Sequence, residues 1–299
     1  MSKLKPQVSV VIPSWNSEAQ MRKNMPDVFV AAKKVAAEIV IVDDASARDR
    51  SYEYIQSLGN AVRAVRNEKN LGFAATVNKG VELAEGEYVI LLNTDVRPEA
   101  ECFFRALKYF EDESVYSVGF NSNEGMMGAR WENGLFHHFR AEPKKIGNDS
   151  FFPTCWASGG QAAFDRKKWL EMGGMDVIYH PFYWEDTDMG YRSWKRGWKN
   201  VWAFDCRCVH EHRVSVIANN FSNKDILKTA QRNQFLFVWK NITDGAYLLS
   251  HFMRIPYFLL KYPVAVLQAL AMLPQVLKAR VKEQKCFIKK DREILNYWS

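Results

Sequence analysis

Short, nearly unbroken apolar runs punctuate the first third of the chain: VSVVI at 8–12, IVIV at 39–42 and YVILL at 88–92. Runs this short and this apolar mark strands buried on both faces, as in a parallel sheet. Between them, residues 17–37 and 72–85 have helical character. Alternating strand and helix predicts right-handed βαβ units, hence an α/β class with a mostly parallel sheet flanked by helices. Each run stops at polar residues: Pro13-Ser14-Trp15-Asn16, then Asp43-Asp44-Ala45-Ser46, then Asn93-Thr94-Asp95. Ligands of open α/β sheets bind at the carboxyl ends of the strands. The acids Asp43, Asp44 and Asp95 are therefore expected to share one crevice.

The pattern then loosens. One strand is predicted near 115–120, and the stretch 121–155, rich in Gly, Asn, Met and aromatics, reads as a long loop or flap. Residues 156–176 read as a strand, a short helix and a glycine stop. Residues 186–196 read as helix and 200–209 as strand; no internal repeat is present.

The last quarter changes character. Residues 246–277 are apolar and aromatic, but the charge-free part, 262–277, holds two prolines and two glutamines. It is shorter than the roughly 20 apolar residues of a membrane-spanning helix. A basic cluster follows: Lys278, Arg280, Lys282, Lys285, Lys289, Lys290 and Arg292. Amphipathic helices beside such a cluster predict a segment lying on an anionic membrane surface. The domains are thus expected at 1–240, with a nucleotide-binding half 1–120 and an acceptor half 121–240, and at 241–299.

Charge and cysteine usage narrow the setting. A net charge of +7 suits anionic partners, but its tail share sits beside apolar helices and no nucleic-acid module is present, so no nucleic-acid partner is expected. The cysteine count, five, is odd, with no C-x-x-C, so disulfide and zinc frameworks are not expected. The N-terminus lacks the long apolar core of a signal peptide. The expected location is cytoplasmic, peripheral on the inner face of the cell membrane.

Asp95 can offer a carboxylate oxygen to a divalent cation, and His210 an imidazole, which suits Mn²⁺ better than Mg²⁺. Asp43 or Asp44 can accept from ribose or a pyrimidine base, and adjacent residues at a strand end point to opposite sides, so only one need do so. Gly72 allows close backbone approach. The stretch Trp184-Glu185-Asp186-Thr187-Asp188 crowds three carboxylates, and like charges raise one another's pKa.

Six stretches in order together resemble the family-two inverting glycosyltransferases with the GT-A fold: VVIPSWN, IVIVDDAS, NEKNLGFAATVNKG, LLNTDV, GGMD with YWEDTDMGYR, and VHEH. The resemblance covers roughly residues 7–240. It implies a GT-A α/β fold and transfer of a sugar from a nucleoside-diphosphate donor, with Mn²⁺ or Mg²⁺ held by Asp95 and His210. It implies Asp186 as catalytic base and Trp184, Glu185 and Asp176 on the acceptor side. It places the donor against Pro13, Trp15, Asn16, Asp43, Asp44, Asn70, Gly72, Phe73, Asn78, Asn93, Thr94 and Asp95, and against Trp156, Ser158, Gly159 and Gly160. Arg232 is a candidate partner for phosphate or for a surface carboxylate. The long form with VHEH and an apolar tail looks most like the rhamnosyltransferase-type members. That implies dTDP-L-rhamnose or a UDP-sugar as donor and a polyprenyl-linked or growing O-antigen or cell-wall glycan as acceptor. One departure stands out: Asn93 replaces the first Asp of the family's D-x-D. It opens a second reading, a non-catalytic membrane-associated scaffold with a degenerate transferase fold.

Overall fold

A computed structural model describes residues 7–122, 125–142, 152–211 and 220–298. The parallel unit runs β1 (Val8–Ser14), α1 (Glu18–Lys34), β2 (Glu38–Asp43), α2 (Ser51–Ser57), β3 (Arg63–Arg66), α3 (Phe73–Leu83) and β4 (Tyr88–Leu92). It continues with β5 (Val96–Pro98), α4 (Cys102–Lys108) and β6 (Val115–Asn121), then β7 (Met126–Glu132), β8 (Leu135–Ala141) and β9 (Phe152–Pro153). Next come β10 (Gln161–Asp165), α5 (Arg166–Met172), α6 (Glu185–Lys195) and β11 (Lys199–His210).

The main sheet has the order β3-β2-β1-β4-β10-β6-β11-β5. Strands β3, β2, β1 and β4 are mutually parallel; β10 enters antiparallel between β4 and β6. Side chains alternate between two apolar layers, as the pleat requires. Val8, Val10, Ile12, Ile41 and Ile90 pack with Met21, Val28 and Phe103. Val11, Val40, Val42, Val89 and Leu91 pack with Val77, Val81 and Trp169 on the other face. The chain leaves β1 toward β2 on one side, whereas β4 lies on the other, so the order reverses at β1. That is where an α/β sheet opens its ligand crevice.

The stretch expected as a loop or flap is instead partly a hairpin. Strands β7 and β8 pair with Glu132 opposite Leu135, so the connection is the two residues Asn133-Gly134. Both have positive φ, 53° and 76°. This is the mirror-image turn that matches strand twist, and Asn-Gly is its preferred sequence. Residues 143–151 and His212 lie outside the described residues.

The last quarter comprises α7 (Asn223–Asn241), α8 (Gly245–Met253), α9 (Ile255–Lys261), α10 (Pro263–Ala271), α11 (Leu273–Gln284) and α12 (Asp291–Leu295). Pro256, Pro263 and Pro274 each sit in the first turn of a helix, where a missing N–H costs nothing. One face of these helices joins a third core, with Phe258, Val266, Val276 and Leu295 packed against Trp194, Phe235 and Trp239. Buried ion pairs cross the same seam: Lys195 to Asp291 at 2.9 Å and Arg196 to Glu283 at 2.7 Å. The opposite face exposes large apolar side chains, including Leu260, 86% exposed, and Met253, 74%. Among the described residues no single helix is long and apolar enough to cross a membrane; α10 and α11 have the length and composition together, but turn by 65° between them. Cys102, Cys155, Cys206 and Cys208 are buried as free thiols, and Cys286 is exposed.

Candidate active site

A cleft of about 370 Å³ opens at the carboxyl ends of β1, β2 and β4. Pro13 and Trp15 enter it from the end of β1, Asp44 from β2, and Asn93, Thr94 and Asp95 from β4. Asn70, Gly72 and Phe73 come from the start of α3, and Ser158, Gly159 and Gly160 from the approach to β10. Glu185 and Asp186 open α6, and His210 closes β11.

Asp44 organises the loop that enters α3. Its Oδ1 accepts from Leu71 N and Asn67 Nδ2, both at 2.8 Å, and its Oδ2 accepts from Gly72 N at 2.9 Å. The carboxylate therefore pins the 67–72 loop in which Gly72 holds φ 83°, a conformation suited to glycine. Asp43 points the other way, as adjacent strand residues must. It is fully buried, with Oδ2 accepting from Ser46 N at 3.1 Å and lying 3.3 Å from Arg66. Burial, the dominant influence, raises its pKa.

Strand β5 brings Asp95 and His210 together. Val96 pairs with His210 across the β5–β11 ladder, and Glu211 N donates to Asp95 O at 3.1 Å. Asp95 Oδ1 lies 3.4 Å from His210 Nε2. That oxygen is buried and accepts no hydrogen bond. A buried carboxylate oxygen left open beside an imidazole fits a divalent cation. No third carboxylate, thiol or imidazole joins them among the described residues. A cation held here would take its remaining oxygens from phosphate and water, the usual arrangement for Mg²⁺ and Mn²⁺ sites at diphosphates.

Asn93 is held by fit. Its N–H donates to Gly160 O at 2.8 Å, and a Cβ on Gly160 would come within 2.2 Å of Asn93 Nδ2. The glycine lets the amide lie flat against the backbone. A Cβ on Gly159 would press on Met175, 3.0 Å away, and Phe73, 3.2 Å away.

Glu185 and Asp186 face the cleft from the first turn of α6. Burial, followed by the neighbouring Asp186 charge, pushes Glu185 up to about 8. Burial also raises Asp186. The two differ in hydrogen bonding. Asp186 accepts from Thr187 N at 2.7 Å and Gly159 N at 3.3 Å, whereas Glu185 Oε2 is buried without a partner. Hydrogen bonds to the anion favour it. Burial thus favours the protonated form of Glu185, while its hydrogen bonds favour the charged form of Asp186.

This sets a testable pH dependence. Glu185 has a folded pKa above its unfolded value of 4.5. Its contribution to stability is therefore intact below pH 4.5 and is lost as pH rises toward 8. Glu185→Gln removes that loss. It is expected to raise stability by a few kcal/mol at pH 9 and to change it little at pH 4. Thermal unfolding at the two pH values checks it; equal effects at both would contradict the assignment.

Six expected site residues stand behind the cleft wall. Asn16 Oδ1 accepts from Ala47 N and Arg48 N, both at 3.0 Å. Asp43 is in the ion pair above. Asn78 exchanges two hydrogen bonds with the Met175 backbone. Trp156 and Trp184 are buried, both edge-on to His138. Asp176 accepts from Ile178 N and pairs with Lys240 Nζ at 2.6 Å. Lys240 also binds Asp188, which burial would raise but Arg192 and Lys240 bring down to about 2. Arg232 donates to His180 O and Asn233 Oδ1 rather than to a surface carboxylate. The cleft also takes Ser14, Thr76 and Tyr183, from within the six motif stretches, and Pro181, Phe182 and Phe221, from outside them.

The profile of glycosyl transferase family 2 matches residues 9–173, more than half of the chain. The chain belongs to this family. The match covers Asp44, Asn93, Asp95 and Gly160 but stops short of Glu185, Asp186 and His210. Similar proteins include the undecaprenyl-phosphate 4-deoxy-4-formamido-L-arabinose transferase of Pseudomonas aeruginosa, 40% identical over 100 residues, which are 31% of this chain and 29% of the relative. GalNAc-T7, solved with UDP, GalNAc and Mn²⁺, superposes with a TM-score of 0.65 at 19% identity, over 85% of this chain and 51% of that one. A mannosyltransferase from Pyrobaculum calidifontis, solved with GDP-Man and Mn²⁺, superposes at 0.53 and 18%, over 95% of this chain and 75% of that one. The fold is GT-A. The chain spans less than a third of the Pseudomonas relative and about half of GalNAc-T7.

Proposed function

We propose that this family 2 chain is an inverting glycosyltransferase that moves a sugar from a nucleoside diphosphate to a lipid-linked or growing bacterial surface glycan. The observation that carries the reading is one cleft lined both by the Asp95–His210 pair and by Asp186. The donor diphosphate lies toward Asp95, beneath the loop that Asp44 holds, and Gly159 and Gly160 let backbone approach the sugar. Asp186 takes the proton of the acceptor hydroxyl as that oxygen attacks the anomeric carbon, while the bond to the diphosphate breaks on the opposite side. One displacement with one base inverts the centre. Glu185, protonated, keeps a second negative charge out of the acceptor side. Asp95 and His210 would hold Mn²⁺ or Mg²⁺, which supplies Lewis-acid stabilisation of the leaving diphosphate. The donor is a UDP- or dTDP-linked sugar, L-rhamnose among them.

The test is calorimetry with UDP, dTDP and GDP, with and without Mn²⁺, followed by nucleotide release from the matching sugars. One nucleotide is expected to bind in a Mn²⁺-dependent way. Asp95→Ala is expected to weaken it at least tenfold, about 1.4 kcal/mol. Binding that ignores both the metal and Asp95 would defeat the reading.

The helical tail supports placement on a membrane. Leu249, Phe252, Met253, Leu260, Leu267 and Val281 are exposed on α8 to α11. Exposed Lys261, Lys278, Lys282 and Lys285 lie in the same segment, which complements an anionic surface. Arg280, by contrast, serves the interior, donating to Trp239 O and Ile242 O, and the exposed Arg292 is paired with Asp244. Co-sedimentation is expected with phosphatidylglycerol vesicles and not with phosphatidylcholine vesicles. Leu260→Asp with Leu267→Asp should weaken it by about 3 kcal/mol or more, since each side chain is worth about 1.5–3 kcal/mol. Equal recovery on both vesicle types would remove the membrane placement.

A further inference from the structure

Residues 179–184 form the turn that delivers Glu185 and Asp186 to the cleft. Tyr183 and Trp184 both adopt left-handed backbone, φ 70° and 81°. Side chains other than glycine enter that region at a cost, so two in succession persist only where the surroundings over-determine them. The surroundings here are two residues of α7. Asn233 is fully buried, and its Nδ2 donates to Tyr179 O at 2.8 Å, Phe182 O at 3.0 Å and Tyr183 O at 2.9 Å. A side-chain amide has only two hydrogens, so three carbonyls share them. Asn233 Oδ1 accepts from Arg232 Nε at 3.0 Å, which fixes the amide end that faces the turn. Arg232 also donates to His180 O. Adjacent side chains therefore gather the carbonyls of 179, 180, 182 and 183.

The same turn touches the donor side. A Cβ on Gly72 would come within 2.6 Å of His180 Nδ1, and Gly72 N is bound by Asp44. Pro181, Phe182 and Tyr183 line the cleft between that loop and Asp186. The spacing from donor loop to carboxylate thus passes through a strained turn that Asn233 and Arg232 hold.

We propose that Asn233, with Arg232, is a positioning pair for sugar transfer, setting the distance between the Gly72 loop and the Asp186 carboxylate without touching either reactant. The proposal rests on Asp186 as the base. A misplacement of about 1 Å costs about 100-fold in rate, so the pair is expected to act on turnover rather than on nucleotide affinity.

The experiment compares the full-length wild type, Asn233→Ala, Asn233→Ser, Arg232→Ala and Asp186→Asn. It reads nucleotide release from UDP-, dTDP- and GDP-sugars with Mn²⁺, UDP affinity by calorimetry, and amide hydrogen exchange across 176–190. Asn233→Ala is expected to lower kcat about 100-fold while UDP affinity stays within about threefold. Exchange should quicken in 176–190 and not elsewhere. Asn233→Ser, which keeps one donor, should recover part of the loss, and Arg232→Ala should fall between. Unchanged exchange in 176–190 overturns the proposal, as does loss of UDP affinity in step with kcat, or a kcat within about threefold of wild type. If Asp186→Asn turns over like the wild type, the base assignment fails instead; the exchange data then still decide whether Asn233 holds the turn.

Discussion

Asp186→Asn will lower sugar transfer by about 10²–10⁴-fold, the range of a lost general base, while nucleotide affinity in Mn²⁺ stays near that of the wild type. The substitution is close to isosteric. Its carbonyl can still accept from Thr187 N, which binds Asp186 at 2.7 Å, so the turn into α6 should keep its shape. What is lost is the anion that takes the proton. Asp95 and His210 come from other elements of the cleft, the end of β4 and the end of β11, and are untouched. Rate and affinity should therefore separate cleanly. Transfer at the wild-type rate would transfer the base role to another group, with Glu185 the nearest carboxylate. Its unpartnered Oε2 and a pKa pushed up to about 8 by burial argue against it at neutral pH.

A comparably large effect is expected on stability from Asp291→Ala. This carboxylate is fully buried and accepts from Lys195 Nζ at 2.9 Å, Tyr191 Oη at 2.6 Å, Thr243 N at 2.7 Å and Asp244 N at 2.7 Å. Removing one partner of a buried pair leaves the other charge uncompensated, at about 3–5 kcal/mol. Burial already lowers the Lys195 pKa, and Asp291 opposes that fall. Against a total stability of about 5–15 kcal/mol, the loss takes the protein to the edge of unfolding. Urea titration should show the midpoint fall with little change in slope. A loss below about 1 kcal/mol would mean that the seam between the sheet domain and the tail contributes little. The expected outcome extends to truncation: a chain ended at residue 240 would also strip Glu283 from Arg196 and Arg192, and it should not fold stably.

The central strands were legible because burial on both faces leaves no polar position to interrupt the run. Their polar ends were legible because the apolar run stops at Asn93, Thr94 and Asp95, although Thr94 and Asp95 are themselves buried. Two edges were not. Strand β3, RAVR, has no fully buried residue, and β5 is three residues long; neither carries a periodic signal. The β7–β8 hairpin did carry one, Asn133-Gly134, but its strands lie among glycines and methionines that read as loop. The part of the cleft built from the ends of β1, β2 and β4 follows local chain order and could be read from it. The part around α6 depends on packing between elements distant in sequence. Asp176 turns to Lys240 and Trp184 to Phe237, and no local pattern announces either. Nor does the sequence reveal that Pro181, Phe182 and Tyr183 edge the cleft, since a long-range grip from α7 puts them there.

Four of the thiols are sequestered in the interior, and Cys286 stands alone at the surface, just past the end of α11. A maleimide fluorophore will therefore attach at one place on the native chain, with no cysteine needing to be removed first. Because that place adjoins the basic helical tail, the dye's emission can serve as an optical gauge of how the tail meets a lipid surface.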